Sequence, residues 1–304
     1  MNLKLKAKPV IIVATATALM TGLGGYVYKQ EHRPSILEVY LFAVKGGQAI
    51  FIRTPEDKRI LINGGSNSEI IRRVSSLLPF YSRRIDTLIA TDTQGKNVTG
   101  LIDMTRRYQV DHARIPGVTL TSLGLASTSD PIHKSFLATL KEHKVSIQEV
   151  FAGDTFLLDS VVKAHVLFPV SSEEFSYSKA SGPEVVINVS YGSTAFLFTG
   201  SVSKKVQKYI ATSTLLERSQ AHQVLIVSKS GSPDDLSSEF LEKLSPEYFI
   251  FSKNVSTSPS KAPSQKTSEQ PLDRIDRESR LNIQDTGTIK LTSDGETVTV
   301  SHER

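Results

Sequence analysis

The chain has 304 residues, of which 39% are hydrophobic and 22% are charged. This length and composition suit one large or two smaller globular domains, and they exclude a peptide-sized scaffold, a collagen-like repeat and a wholly disordered chain. The absence of cysteine excludes a disulfide framework, a thiolate nucleophile and any cysteine-ligated metal site. The formal net charge is +5, but residues 1–33 supply five cations against one anion, so residues 34–304 are nearly neutral. The total charge therefore does not indicate a strongly basic nucleic-acid-binding domain.

The segment from Pro9 to Tyr28 has 20 residues without a charge. A helix of that length crosses the roughly 30 Å hydrocarbon core of a bilayer. Three lysines precede it, and positive residues beside a first span favour the cytoplasmic side. We therefore predict that residues 1–33 form a cytoplasmic tip, a single-pass cell-membrane anchor and a linker, with residues 34–304 extracytoplasmic. A cleaved signal peptide is the competing interpretation, but the small residues that would supply a cleavage site lie early in the apolar run.

The sequence after Pro34 predicts strands first and then alternating helices and strands. Runs rich in β-branched and aromatic residues, separated by turn residues, predict strands at 37–44, 48–54 and 59–64. Alternation follows, with predicted helices at 68–78, 97–107 and 132–143 and predicted strands at 85–91, 112–115 and 147–150. The second half predicts strands at 155–158, 161–168, 185–191, 194–199, 223–228 and 247–252, with helices at 202–212 and 236–243. This order is typical of an α/β protein with two mixed sheets, each covered by helices on its outer face.

The last part of the chain begins with a polar segment. Residues 253–270 are mostly Ser, Thr, Pro, Lys and Gln, which predicts a disordered loop because they cannot bury enough apolar surface. Two β-rich runs at 286–293 and 296–301 then flank Asp294-Gly295, and this pair predicts a hairpin with a type I′ turn.

Several of these segments, taken in order, are similar to a known family. They read LEVYLFAVKGGQAIFIRTPEDKRILINGG, IDTLIATDTQGKNVTGL, VFAGDTF, STAFLFTGS, VLIVSKSGSPDDLSSEFLEKLSPEYFIFS and DTGTIKLTSDGETVTV. Together they resemble the metallo-β-lactamase-fold domain that ends the ComEC-type competence DNA-uptake proteins. The resemblance runs from Leu37 to Val300 and implies a four-layer αβ/βα sandwich with its metal site at one edge, between the two sheets.

The motifs that hold metal in that family are altered in this chain. In the family, the strand that here reads IDTLIAT runs into a T-H-x-D-x-D-H loop, whose side chains hold two divalent metals and a bridging water that attacks a phosphodiester or similar bond. The family's T-G-D stands here as Thr199-Gly200-Ser201, and its H-H-G-S stands as Lys229-Ser230-Gly231-Ser232. The resemblance therefore implies a vestigial pocket formed by Asp92, Gln94, Lys96, Asn97, Ser201, Lys229 and Ser230.

These replacements predict a pocket without metal and without catalytic residues. A hydrolytic zinc site needs about three protein ligands with lone pairs, and a two-metal site needs more. Of the altered positions only Asp92 offers a strong ligand, and the ammonium groups of Lys96 and Lys229 would repel a divalent cation. If Asp92 faces Lys229 or Lys96, an ion pair would hold the pocket in place of zinc. The pocket would then be either a salt-bridged relic or a binding site for an anionic group.

The predicted function is that of a metal-free pseudo-hydrolase that acts in binding or scaffolding at the membrane, with a membrane protein complex as partner and a link to DNA uptake. The alternative is an active nuclease or phosphodiesterase of the same family that recruits zinc or manganese through substitutes such as Asp92, Asp103 or Asp111. A third hypothesis is nucleic-acid binding by a basic patch, against the simpler interpretation of solvated helix faces. The pairs that would form it are Arg72-Arg73, Arg83-Arg84, Arg106-Arg107 and Lys204-Lys205.

Two other motifs have little specificity. The seven histidines form no H-x-H or H-x-x-x-H pair, so they do not predict another metal site. Ser201 to Lys204 fits the S-x-x-K pattern of penicillin-binding serine hydrolases. The same pattern also occurs at Ser176 to Lys179 and at Ser258 to Lys261, which shows how readily this chain produces it.

Overall fold

The structure is a computed structural model that describes residues 20–21, 35–117, 131–170, 175, 183–217, 223–227, 236–252 and 275–303. The chain divides into two compact units, Met1–Ser35 and Ile36–Arg304. In the first unit Met20 and Thr21 are helical, and the rest of the predicted span from Pro9 to Tyr28 lies outside the described residues. None of the helices described is both long and apolar enough to cross a bilayer. The predicted loop at 253–270 also lies outside the described residues.

The described part of the second unit contains fifteen strands and seven α-helices. The strands are β1 Leu37–Leu41, β2 Ile50–Arg53, β3 Arg59–Ile62, β4 Arg84–Ile89, β5 Gln109–Pro116, β6 Ser146–Val150, β7 Thr155–Leu157, β8 Val162–Phe168, β9 Val186–Tyr191, β10 Thr194–Gly200, β11 Val224–Val227, β12 Tyr248–Phe251, β13 Arg280–Asn282, β14 Thr288–Ser293 and β15 Val298–Glu303. The helices are α1 Glu69–Leu77, α2 Gly95–Arg107, α3 Pro131–Glu142, α4 Lys204–Thr212, α5 Thr214–Glu217, α6 Ser238–Leu244 and α7 Ile283–Thr286.

The strands form two mixed sheets. The first sheet has the order β15-β14-β1-β2-β3-β4-β5-β6, and the second has the order β13-β12-β11-β10-β9-β8-β7. Strands β3 to β6 run parallel to one another, as do β10 to β13, and the remaining pairs are antiparallel. The prediction of an α/β fold with two mixed sheets is confirmed.

One apolar core joins the inner faces of the two sheets. Ile52 and Ile62 of the first sheet share this core with Ile187, Phe198 and other fully buried residues of the second sheet. Alternate residues of each strand face inward, which is the period-two pattern expected of packed sheets.

Two further cores lie on the outer faces and hold the helices. Helices α1, α2 and α3 pack on the first sheet, where Phe51 and Leu61 are buried. Helices α4, α5 and α6 pack on the second sheet, where Leu225 and Phe249 are buried. The order of layers is therefore helix, sheet, sheet, helix, as in the sandwich that was expected.

The parallel strands of both sheets point the same way, which gives the sandwich two distinct edges. Where β4 and β10 end, the amide of Val185 donates to the carbonyl oxygen of Thr91 over 2.6 Å. Where β1 and β10 begin, the amide of Ser193 donates to the carbonyl oxygen of Gly295, also over 2.6 Å. We call the first the carboxyl edge and the second the amino edge.

The structure corrects the expected turn of the last hairpin. Strands β14 and β15 pair as predicted, but Ser293 pairs with Val298, so the loop has four residues. A type I′ turn needs a positive φ at both central residues, and here only Gly295 has one, of 96°. The Asp294 carboxylate instead accepts hydrogen bonds from the amides of Glu296 and Thr297, so the type I′ prediction is wrong. Strand β13 and helix α7 were not predicted.

Candidate functional site

The loop from β4 to α2 lies at the carboxyl edge and carries four of the residues at the altered motif positions. Its central side chain is Asp92, which is 2% exposed. One carboxylate oxygen of Asp92 accepts from the Gln94 amide over 2.9 Å, which is the side-chain turn that aspartate forms just before a helix. The other oxygen accepts from the side-chain amide of Asn97 over 2.6 Å. The structure thus brings Asp92, Gln94 and Asn97 into direct contact.

Asn97 also joins this loop to two other segments. Its side-chain oxygen accepts from the backbone amide of Gln48, over 2.9 Å, in the loop between β1 and β2. Its backbone oxygen accepts from the amide of Gly64, over 2.7 Å, just after β3. Asn97 is itself 2% exposed. The first turn of α2 therefore ties three loops together through one asparagine.

The backbone of the β1–β2 loop packs closely against the start of α2. Gly47 has a φ of 69°, and a Cβ at this position would overlap the carbonyl oxygen of Lys96 and lie 2.6 Å from the side-chain oxygen of Asn97. Only glycine suits both the conformation and the contact. This close packing occupies the space beside the Asp92–Asn97 pair.

Gln48, which sequence reasoning missed, contributes an unusual group to this region. It is 2% exposed, and neither polar atom of its side chain has a hydrogen-bond partner among the described residues. A buried amide without partners costs about 1–3 kcal/mol. The sequence signal that would have revealed Gln48 is weak, since it is a single polar residue between Gly47 and an apolar strand.

Asp92 and Lys96 are both described, and they form no salt bridge with each other. Within the described residues Asp92 lies in no salt bridge, and its partners are the two amide donors. Burial raises the pKa of Asp92 above its usual range, against the opposing effects of the Gln94 and Asn97 hydrogen bonds and, last, of the Lys96 charge. Lys96 thus acts on Asp92 only at longer range. Lys229 and Ser230 lie outside the described residues, so an ion pair of Asp92 with Lys229 stays a prediction.

Ser201 lies at the same edge, directly after β10. A Cβ at the preceding residue, Gly200, would lie 3.6 Å from the side-chain oxygen of Thr91. Thr91 is held in turn by Asn63, which accepts from its amide over 2.9 Å and donates to its hydroxyl over 2.8 Å. The ends of β3, β4 and β10 therefore meet here, and Ser201 stands near Asp92 in the fold although it is distant in sequence.

The described residues do not fit a metal ion. Both oxygens of Asp92 already accept hydrogen bonds, and the described part of the chain holds no group of three or more His, Cys, Asp or Glu side chains arranged to bind a metal. The proposed substitutes do not assemble either. Asp111 lies at the opposite edge, where its carboxylate accepts from the guanidinium of Arg84, and Asp103 lies on the third turn of α2. Among the described residues, neither Asp103 nor Asp111 therefore joins Asp92 in a ligand set.

No protein-family model matches the chain, and no curated protein matches its sequence. Among solved structures the chain is similar to a variant of the CmlA beta-hydroxylase, with 14% identity and a TM-score of 0.45 over 71% of this chain and 45% of that one. It is similar to Zn²⁺-bound PqqB from Methylobacterium extorquens, with 14% identity and a TM-score of 0.45 over 70% of this chain and 88% of that one. It is also similar to MEM-A1, a subclass B3 metallo-beta-lactamase from a soil metagenome library, with 14% identity and a TM-score of 0.43 over 62% of this chain and 75% of that one. The chain spans less than half of the CmlA protein. Because these similarities are low, the four-layer architecture rests on the chain's own sheet order and cores.

Proposed function

We propose that this chain is a membrane-anchored pseudo-hydrolase, a metallo-β-lactamase-like sandwich that holds no metal and acts by binding or scaffolding. The link to DNA uptake and to a membrane protein complex belongs to the same proposal. That link is supported by the resemblance to ComEC-type domains and by the uncharged segment from Pro9 to Tyr28.

The observation that carries the proposal is the environment of the Asp92 carboxylate. A metal-binding carboxylate must offer a lone pair to the ion, and a hydrolytic site needs further ligands around an open position. Asp92 instead gives one oxygen to the Gln94 amide and the other to the Asn97 amide. Metal binding would require at least one of these bonds to break, with no second strong ligand nearby among the described residues to compensate.

The proposal is tested by elemental analysis of the purified full-length chain after expression in medium supplemented with zinc and manganese. We expect far less than one equivalent of either metal, and the same content in the Asp92→Ala variant. We also expect that the chain does not hydrolyse a simple phosphodiester in any reaction that a chelator would stop.

One or two equivalents of metal that are lost in the Asp92→Ala variant would overturn the proposal. Turnover that requires both the metal and Asp92 would assign the chain to the active metal-dependent hydrolases instead.

A further inference from the structure

Two aromatic side chains stand in solvent at the amino edge. Phe80 is 94% exposed and Tyr81 is 77% exposed, in the loop that leads from α1 into β4. Their rings contact each other edge to face, with centroids 5.4 Å apart. Adjacent exposed aromatic rings are typical of a surface that binds an apolar partner or enters the membrane interface.

Cations lie at the same edge, on the connections that enter the parallel strands of the first sheet. Arg83 precedes β4, Arg106 and Arg107 end α2 before β5, Lys141 lies in the last turn of α3, and Lys144 lies between α3 and β6. All are exposed, and none is in a salt bridge within the part of the chain that the structure describes. We call the seven residues together the amino-edge patch: Phe80, Tyr81, Arg83, Arg106, Arg107, Lys141 and Lys144.

The members of the patch are neighbours because their strands are neighbours. The Gln109 amide donates to the carbonyl oxygen of Arg83 over 2.9 Å, which joins the first two connections. Other cations at this edge are neutralised, since Arg84 pairs with Asp111 and Lys58 with Asp86. Glu142, the last residue of α3, is the carboxylate that lies between Lys141 and Lys144 in the sequence. The patch therefore keeps an excess of positive charge beside its two aromatic rings.

The chain enters the folded unit at the same edge. Strand β1 runs antiparallel to β2, and β2 runs antiparallel to β3, so β1 begins where β3 and β4 begin. Three strand spacings separate β1 from β4, which is about 15 Å. In the sequence the uncharged segment ends at Tyr28, nine residues before Leu37. Nine residues reach at most about 30 Å.

We propose that the amino-edge patch docks on the anionic headgroup surface of the bilayer that holds the N-terminal segment. This inference rests on the membrane anchor of the proposed function. Phe and Tyr rings partition into the membrane interface, and arginine and lysine are attracted to anionic lipids. The short distance in sequence between the anchor and this edge favours a bilayer over nucleic acid as the partner. Docking would leave the carboxyl edge, with Asp92 and Ser201, facing away from the membrane.

The test uses the absence of tryptophan from the sequence. The Phe80→Trp variant of the full-length chain carries the only indole, at a side chain so exposed that the core is undisturbed. The matched control is Phe151→Trp, because Phe151 is 38% exposed and follows β6 at the carboxyl edge of the same sheet. Each variant is reconstituted into vesicles of phosphatidylcholine and phosphatidylglycerol whose acyl chains are brominated near the headgroup.

We expect the bromine atoms to quench the tryptophan fluorescence of the Phe80→Trp variant about twofold more than that of the Phe151→Trp variant. Arg83→Glu, Arg106→Glu and Arg107→Glu, added to Phe80→Trp, should remove that difference. The same charge change at Lys204, Lys208 and Lys243, on helices α4 and α6, should not.

Flotation of the vesicles separates the ways in which the proposal can fail. Variants that float with the vesicles but are quenched equally would retain the anchor and overturn the docking. Variants that do not float would overturn both the anchor and the docking. Quenching of the Phe80→Trp variant by single-stranded DNA, with no response to vesicles, would assign the patch to nucleic acid and overturn the proposal.

Discussion

The Asp92 carboxylate shows how two amide donors can satisfy a buried acid that lies in no salt bridge among the described residues. A buried carboxylate is costly unless donors satisfy its lone pairs. The Gln94 and Asn97 amides supply such donors. Asn97 then becomes the critical residue of this edge, because its side chain donates to Asp92 and accepts from Gln48 at the same time.

Removal of the Asn97 side chain should destabilise the protein. The Asn97→Ala variant leaves one Asp92 oxygen and the Gln48 amide without their partners, at a cost of about 1–3 kcal/mol in the free energy of unfolding. Asn97→Asp keeps the acceptor but places a second carboxylate beside Asp92, so at neutral pH it should cost more than Asn97→Ala. Urea unfolding at neutral pH measures both, and an Asn97→Asp variant as stable as the wild type would contradict this account.

The raised pKa of Asp92 predicts a pH dependence of stability. Burial raises the pKa of Asp92, so the folded protein holds this proton more tightly than the unfolded chain does. The stabilisation is complete below the ordinary pKa of aspartate and is lost as the pH rises through the higher folded pKa. Relative to Asp92→Asn, which cannot titrate, the wild type should therefore lose unfolding free energy from about pH 4 upward.

Asp294 provides a control of opposite sign. Hydrogen bonds from the Thr297 and Glu296 amides lower the pKa of Asp294, so its contribution is present above the ordinary aspartate pKa and is lost as the pH falls. Urea titrations of Asp92→Asn and Asp294→Asn across the same pH range should diverge from the wild type in opposite directions. Parallel profiles would refute the assignment.

Helix α2 is placed by a contact between two glycines. A Cβ at Gly100 would overlap the carbonyl oxygen of Gly64, and a Cβ at Gly64 would lie 2.5 Å from the amide nitrogen of Leu101. The helix backbone therefore touches the segment after β3 directly. This approach positions the first turn of α2, and with it Asn97, against the neighbouring loops.

The close approach predicts that an alanine will destabilise a helix that it would normally favour. By helix propensity alone, Ala in place of Gly inside a helix stabilises that helix by about 1 kcal/mol. In the Gly100→Ala variant we expect a net loss of about 1–3 kcal/mol, because backbone atoms must move apart. Gly95→Ala on the same helix is the matched control, since its Cβ meets only the end of the flexible Ile132 side chain. Thermal unfolding should show a clear loss for the first variant and little change for the second.

Most elements were predictable because their apolar residues repeat over several periods. Strands such as β4 and β10 and helices such as α2 carry several periods of apolar residues, and their predicted positions agree with the structure to within a few residues. Strand β13 has three residues, too few for any period, and it forms because β12 offers it a parallel partner. The hairpin turn was mistaken because Asp294 prefers to bind two amides with its side chain.

The position of the β4–α2 loop was predictable, but the interactions of its side chains were not. The resemblance placed Asp92, Gln94, Lys96 and Asn97 in one loop, and that loop does lie at the carboxyl edge. The Asp92–Asn97 hydrogen bond and the role of Gln48 depend on which segments pack together. A single sequence does not encode that information in any local pattern.

The two sheets of the folded unit share one inner core, so they should unfold together. The described residues of that core come from both sheets in nearly equal measure. Phe198→Ala, at a fully buried position in it, should cost about 3–5 kcal/mol. Hydrogen exchange should then show that the free energy of opening falls by the same amount for the amides of β2 and for those of β10. Phe80→Ala, at the exposed aromatic pair, is the matched control. It should change neither the free energy of unfolding nor the hydrogen exchange of these strands. Loss confined to the second sheet would show that the sheets unfold separately.

Strand β1 lies between β2 and β14, so residues from opposite ends of the folded unit pair directly, as Leu37 does with Ser293. During synthesis the partner at 288–293 arrives after every other strand except β15. Until then β1 presents an unpaired backbone edge, of the kind that recruits other chains. The first sheet therefore cannot be completed until residues 288–303 have been made. Contacts this distant in sequence slow folding, so we expect this edge of β1 to stay exposed until β14 has been made and has paired with it.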